Sequence, residues 1–271
     1  MRMLAWIVAV MTVPSIASGT PPEVEAAYDR GTVDLGDGSK LPYRMHRPKV
    51  ADGSDPIPLV VFLHGAGERG DDNAKQLRHF PDRWVREGHL GERHPAVVLA
   101  FQCPEQGWWS AVRRNQKDEW VSDPDGILTP QLQAVMSKVQ ELAQDPDIDQ
   151  RRIYLTGLSM GGFGSWDLLE HHPEVFAAAV PICGGGNAKA AKGIVAGRTP
   201  IWNVHGDADQ VILVERSREM VEAIRSEGGR VGHTELPGVG HNSWNWAYGP
   251  GGVVGWMFSQ RRTDEPRFEG S

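Results

Sequence analysis

Several stretches of the chain are apolar without alternation. Leu59-Val60-Val61-Phe62-Leu63 is one, Ala96 to Phe101 a second and Val175 to Ile182 a third. Ile153-Tyr154-Leu155 is shorter, and Ile201-Trp202-Asn203-Val204 is mixed but ends in His205-Gly206. A strand with one face in water alternates apolar and polar residues; a strand covered on both faces does not. These runs predict buried, parallel strands. Between them the period changes. Thr129-Pro130 reads as an N-cap followed by a proline in the first turn. Leu132, Val135, Met136, Val139, Leu142 and Ala143 then recur at helical spacing until Asp145-Pro146 ends the helix. Leu213 to Glu227 places Leu213, Met220, Val221 and Ile224 on one face and stops at Gly228-Gly229. Strand and helix in alternation predict an α/β fold, a mostly parallel central sheet with helices on both faces.

Length and charge narrow the picture. A chain of 271 residues with 40% hydrophobic content suits one sizeable core. The formal charge of −7, with no dense Lys/Arg run, gives no reason to expect a nucleic-acid partner. Two cysteines exclude a disulfide scaffold, and no Cys/His spacing resembles a zinc site. At the N-terminus, Arg2 precedes the ten-residue run Leu4 to Val13, then Pro14 and the small residues Ala17-Ser18-Gly19. That order predicts a secretory signal peptide over residues 1–19. The run is too short to span a bilayer. A secreted or periplasmic product is expected, with one domain over residues 20–259 and no membrane span after cleavage. The charged tail, residues 260–271, is expected to fray. The oligomeric state is not encoded in any pattern visible here.

The chemistry lies in four glycine-flanked segments. Gly157-Leu158-Ser159-Met160-Gly161 follows a predicted strand and precedes the helical stretch Phe163 to His172. This is the strand–turn–helix setting of a nucleophile elbow, where small residues let a tight turn expose the serine. His64-Gly65-Ala66-Gly67 follows the Leu59–Leu63 strand. A glycine-rich loop there can turn an N–H towards a developing oxyanion. We assign the two donors to the backbone N–H groups of Ala66 and Met160. His205-Gly206-Asp207-Ala208-Asp209 offers two carboxylates beyond a strand, either of which could orient an imidazole. Gly238-Val239-Gly240-His241-Asn242 supplies that imidazole in a mobile setting. Serine, acid and histidine then follow in the order of an α/β-hydrolase.

These segments, with Gln102-Cys103-Pro104 and Gly240-His241-Asn242-Ser243-Trp244, resemble the α/β-hydrolases of the dienelactone-hydrolase and esterase type. Within that group the chain is similar to secreted esterases and peptidases related to polyhydroxybutyrate depolymerases and feruloyl esterases. The resemblance runs from residue 64 to 244. It implies Asp209 rather than Asp207 as the acid, and a Ser159–His241–Asp209 acyl-enzyme mechanism without metal or organic cofactor. It also implies that Cys103 and Cys183 follow strands too far apart to be bridged. The connection from Ile182 to Pro200 is short where many relatives insert a lid, so an open site is expected.

Other residues admit plainer roles. His64 is expected to support the oxyanion loop, and Glu68 and Arg69 to brace it as an ion pair. His171 and His172 suit a helix C-terminus. Of ten tryptophans, Trp108, Trp109, Trp244 and Trp246 fall beyond predicted strand ends, where ligands of α/β folds bind. Trp108, Trp109 and Trp244 are the candidates for substrate contact, on an aryl or carbohydrate-linked ester. Two other functions stay open: a serine peptidase of prolyl oligopeptidase-like type, and a non-catalytic secreted carbohydrate-binding protein.

Overall fold

The computed structural model describes residues 19–51, 53–86, 89–114, 120–121 and 126–268. All but the last residue of the expected leader lies outside them. The strands are β1 (Asp29–Asp34), β2 (Lys40–His46), β3 (Ile57–Leu63), β4 (Val97–Phe101), β5 (Arg113–Arg114), β6 (Trp120–Val121), β7 (Ile148–Leu158), β8 (Ala178–Ile182), β9 (Ile201–Gly206) and β10 (Val231–Leu236). The helices are α1 (Pro22–Ala26), α2 (Phe80–Arg86), α3 (His89–Arg93), α4 (Pro130–Ala143), α5 (Met160–His171), α6 (Ala191–Ala196), α7 (Glu215–Ser226), α8 (Trp244–Ala247) and α9 (Val254–Ser259).

Eight strands form one sheet in the order β1-β2-β4-β3-β7-β8-β9-β10, and β5 and β6 pair separately. The pairs β1/β2 and β2/β4 are antiparallel; the neighbours from β4 to β10 run parallel. β3 sits inside the parallel block, and all seven of its residues are buried. Its side chains alternate between two cores. Leu59, Val61 and Leu63 pack with α4, α5, α6 and α7; Val60 and Phe62 pack with α1, α2, α3, α8 and α9. Each such side chain withdrawn from water contributes about 1.5–3 kcal/mol, which is why this strand carries no polar residue. The α4 N-cap is the one expected: Thr129 Oγ1 accepts from the Leu132 N–H at 3.3 Å.

Two expectations need correction. The tail does not fray over its described part. Arg262 N–H donates to Arg151 O at 3.0 Å, its guanidinium reaches Phe176 O and Gly197 O, and Phe268 packs on the core. The charged side chains that suggested fraying are the ones that anchor it. The run Val175 to Ile182 is also not all strand, since β8 begins at Ala178. The connection after β8 holds one 3-10 turn (Ala188–Ala190) and α6, both packed against α7.

A cavity of about 840 Å³ opens beside Arg198, Ile201, Trp202, Val231 and Trp256, at the starts of β9 and β10. The motif residues lie past the opposite ends of those six-residue strands, about 20 Å away at ~3.3 Å per residue. Among the described residues no helix is long and apolar enough to cross a membrane.

Candidate active site

Every motif segment follows the C-terminal end of a strand. Ser159 links β7 to α5 and holds φ 54°, ψ −117°, a conformation side chains rarely adopt. The surroundings enforce it. Its N–H donates to Ile182 O at 2.9 Å, and its carbonyl accepts from the Phe163 N–H at 3.1 Å. The turn closes only because two neighbours lack side chains. A Cβ on Gly157 would lie 2.3 Å from Gly161 O, and one on Gly161 would lie 2.0 Å from Leu63 O. The half-buried serine is thereby raised on a rigid, strained elbow.

His241 Nε2 lies 2.9 Å from Ser159 Oγ, and His241 Nδ1 lies 2.7 Å from Asp209 Oδ2. The Asp209 side chain is fully buried, whereas that of His241 is 22% exposed. Asp209 Oδ1 accepts from the backbone N–H groups of Val211 and Ile212 at 2.8 and 3.0 Å. Those two bonds leave Oδ2 free to face His241. The exposed Asp207 instead accepts from the Gly238 N–H at 2.7 Å and holds the loop that carries His241.

A further histidine reaches the same acid. His205 Nε2 lies 3.1 Å from Asp209 Oδ2 and 2.8 Å from Ile212 O, and its Nδ1 lies 2.7 Å from Ser217 Oγ. Two acceptors at Nε2 place the proton there, so Nδ1 presents its lone pair to Ser217 Oγ, whose hydroxyl is shared between this nitrogen and Gly184 O at 3.1 Å. Burial lowers the His205 pKa and favours this neutral form. No motif marks His205 for this task; its one signal in the sequence is the i, i+4 spacing to Asp209.

The loop after β3 begins with His64, whose burial lowers its pKa to about 4. Its Nε2 accepts from the Cys103 N–H at 2.9 Å, so its Nδ1–H donates to Gly65 O at 2.6 Å. Trp109 Nε1 donates to His64 O at 3.0 Å. His64 is thus a neutral brace, as its sequence position suggested. Ala66 opens a 3-10 turn (Ala66–Glu68), and Met160 opens α5. Neither N–H finds a backbone acceptor among the described residues, as expected for groups at the start of a helical turn.

Glu68 and Arg69 do not pair with each other. Successive residues of a helical turn point apart. Arg69 Nε donates to Ala66 O at 3.0 Å, while Glu68 Oε1 lies 3.4 Å from His79 Nε2. Burial opposes ionisation of Glu68, but the His79 hydrogen bond and charge outweigh it and lower its pKa.

The tryptophans divide. Trp109 is fully buried against His64, their ring centroids 5.2 Å apart, so it has no free face for a substrate. This corrects the expectation for Trp109: its neighbour Gly164 leaves room for it to pack inward. Trp108 is half-buried and donates to Val112 O. Trp244 is half-buried and meets His241 edge to face, centroids 5.3 Å apart. Trp246 is 38% exposed.

Both cysteines are buried and unpaired, as strand order required. Cys183, Asp209 and His241 bring one ligand-type atom each within 4.8 Å of one another. Burial raises the Cys183 thiol far above its ordinary range and keeps it protonated. With Asp209 and His241 bonded to each other, the trio is packing beneath the serine rather than a metal-binding set.

Comparison with known proteins agrees with this geometry. Residues 47–247 match the phospholipase/carboxylesterase family. Poly(3-hydroxyalkanoate) depolymerase C of Paucimonas lemoignei is 32% identical over 130 residues, 47% of this chain and 28% of its own length. The bifunctional acetylxylan esterase/xylanase XynS20E of Neocallimastix patriciarum is 28% identical over 175 residues, 63% of this chain and 22% of its own. The chain thus spans about a quarter of each of these curated relatives. A solved thermostable esterase superposes with a TM-score of 0.78 at 37% identity, covering 88% of this chain and 64% of that one. The family match spans the nucleophile elbow, the acid and the histidine loop alike, and the chain belongs to the phospholipase/carboxylesterase family of α/β-hydrolases.

Proposed function

We propose that this chain is an exported serine hydrolase that cleaves carboxylic esters, with Ser159 as nucleophile. The observation that carries the reading is the continuous hydrogen-bond relay from Asp209 through His241 to Ser159, at 2.7 and 2.9 Å. Neutral His241 takes the Ser159 proton as Oγ attacks the ester carbonyl. The carbonyl oxygen becomes an oxyanion, received by the uncommitted N–H groups of Ala66 and Met160, with the α5 dipole adding positive potential. Collapse expels the alcohol, which takes its proton from His241 Nε2. Water then repeats the sequence on the acyl-enzyme and releases the acid. Asp209 holds the imidazole tautomer and stabilises its cationic form. The mechanism calls on no metal or organic cofactor.

The substrate class we favour is an aryl or carbohydrate-linked ester. It is supported by the short connection after β8, which supplies no deep acyl tunnel, and by the half-exposed rings of Trp108 and Trp244. The relative named as an acetylxylan esterase/xylanase points the same way. Export rests on the leader-like pattern of residues 1–19.

A fluorophosphonate probe tests the mechanism. The wild type should be labelled on Ser159 and hydrolyse aryl and sugar acetates, and Ser159→Ala should do neither while keeping its circular dichroism spectrum. Undiminished turnover by Ser159→Ala, or faster cleavage of peptide amides than of any ester, would overturn the reading.

A further inference from the structure

Ser159 and Glu68 lie on either side of Gly65. A methyl group built on Gly65 would lie 3.6 Å from Ser159 Cβ and 3.2 Å from Glu68 Oε2. Glu68 is 7% exposed, so a carboxylate is buried beside the nucleophile, and ester cleavage gives it no task. Its partner His79 is held at φ +64°, a left-handed conformation that an ordinary residue adopts only under constraint. The constraint is visible. Asn73 and Gln102 tie the segment before His79 to β2 and β4: Asn73 N–H donates to Gln102 Oε1 at 2.6 Å, and Arg44 Nε donates to Asn73 O at 2.6 Å.

From His79 the contacts return to the serine. The His79 ring meets Trp244 with centroids 5.2 Å apart, Trp244 meets His241 at 5.3 Å, and His241 bonds Ser159 at 2.9 Å. A chain of contacts therefore runs from Glu68 through His79, Trp244 and His241 to Ser159. Glu68 occupies His79 Nε2. The side chain is still 27% exposed, and Nδ1 has no hydrogen-bond partner among the described residues. An imidazole nitrogen can accept a hydroxyl proton or, when protonated, donate to a hydroxyl oxygen. The indole beside it offers an apolar face.

The side of the site follows from the chemistry. His241 protonates the departing oxygen, so the alcohol portion of the ester must lie next to His241, and Trp244 packs on that ring. We propose that Glu68, His79 and Trp244 form a subsite for a hydroxyl-bearing ring, a pyranose or cyclic polyol, in the leaving alcohol. Trp244 takes the ring face, His79 Nδ1 takes a hydroxyl, and Glu68 fixes the His79 ring. This rests on the esterase reading above and specifies its substrate.

The test compares two acetates that share an acyl group, an acetylated pyranoside and cyclohexyl acetate, in wild type, Glu68→Gln and His79→Asn. Asparagine tolerates the left-handed backbone, and the Glu68 change is nearly isosteric. Active sites are counted by fluorophosphonate titration, so loss of folded protein does not enter the constants. The wild type should prefer the pyranoside. The ratio of kcat/KM between the two esters should fall about tenfold or more in His79→Asn, mainly through KM, and by a smaller factor in Glu68→Gln. No wild-type preference, or equal losses on both esters in the variants, would overturn the subsite and leave the esterase reading intact. Failure of the wild type to take the probe or hydrolyse either ester would overturn both.

Discussion

His205 Nε2 lies 3.1 Å from Asp209 Oδ2, the same oxygen that faces His241 Nδ1 at 2.7 Å. The acid is thus held by a second imidazole as well as by two backbone N–H groups, and it cannot rotate away from His241 without breaking several bonds at once. His205→Phe removes the donor at Nε2. We expect kcat to fall about 10- to 100-fold, or about 1.4–2.7 kcal/mol of transition-state stabilisation, with KM little changed. His205→Gln, which restores a side-chain donor, should recover part of the loss. Equal kcat in wild type and His205→Phe would show that Asp209 needs no such support.

Asp209→Asn should cost on the order of 10⁴ in kcat, the loss that follows when an amide favours the wrong imidazole tautomer. Asp207→Asn should cost less than about tenfold, because Asp207 accepts from the Gly238 N–H whereas His241 bonds Asp209. The reverse ranking in steady-state kinetics would reassign the acid.

These acids illustrate what was legible in the sequence. Ser159, Asp209 and His241 each lie beyond a strand and within three residues of a glycine the backbone needs, Gly157 and Gly161, Gly206, and Gly238 at φ +70°, so composition and order both betray them. The β1–β2 hairpin left no such trace. Its strands are half-exposed at the sheet edge, and DRGTVD carries no apolar run. Trp108 and Trp109 were indistinguishable because adjacent residues diverge, and only the packing on Gly164 and His64 decides which turns inward. The Glu68–His79 contact was invisible for another reason: it is made by a loop whose left-handed turns at Asn73 and His79 lack the glycine that normally announces them.

Trp109→Ala should therefore act on stability and Trp244→Ala on substrate affinity. Truncating the fully buried Trp109 leaves a cavity and an unpaired His64 carbonyl, a cost of about 3–5 kcal/mol. Trp244→Ala should melt near wild type and raise KM. Chemical denaturation and kinetics on the same samples separate the two effects, and a KM change without loss of stability in Trp109→Ala would return that ring to the binding site.

Gly161→Ala tests the elbow itself. The added Cβ would lie 2.0 Å from Leu63 O, a backbone atom of the central strand with nowhere to go. A penalty of roughly 3 kcal/mol would lower Tm by about 6–12 °C in a chain this long. Melting within about 2 °C of wild type would mean that the turn is looser than these distances require.

Asp167 provides a stability test that is independent of catalysis. It lies on α5, 1% exposed, and accepts from the Ser110 hydroxyl at 3.0 Å and the Ala111 N–H at 2.7 Å, so it pins the segment that carries Trp108 and Trp109. Burial raises its pKa to about 6, and those two bonds only partly offset the effect. A folded pKa above the unfolded value means that the folded chain binds the proton more tightly. Between pH ~4 and ~6 the folded state then carries more protons than the unfolded state, and stability must fall as pH rises. The contribution is full below about pH 4 and lost through about pH 6. Asp72 and Glu235, whose pKa values are lowered to about 2, act in the opposite sense as pH falls towards 2, so the wild-type curve mixes both. Asp167→Asn isolates the term because the amide does not titrate. Relative to wild type, the variant should gain on the order of 2–3 kcal/mol between pH ~4 and ~8 in urea unfolding. A difference between the two proteins that stays constant across that range would show that burial does not raise the Asp167 pKa above its unfolded value.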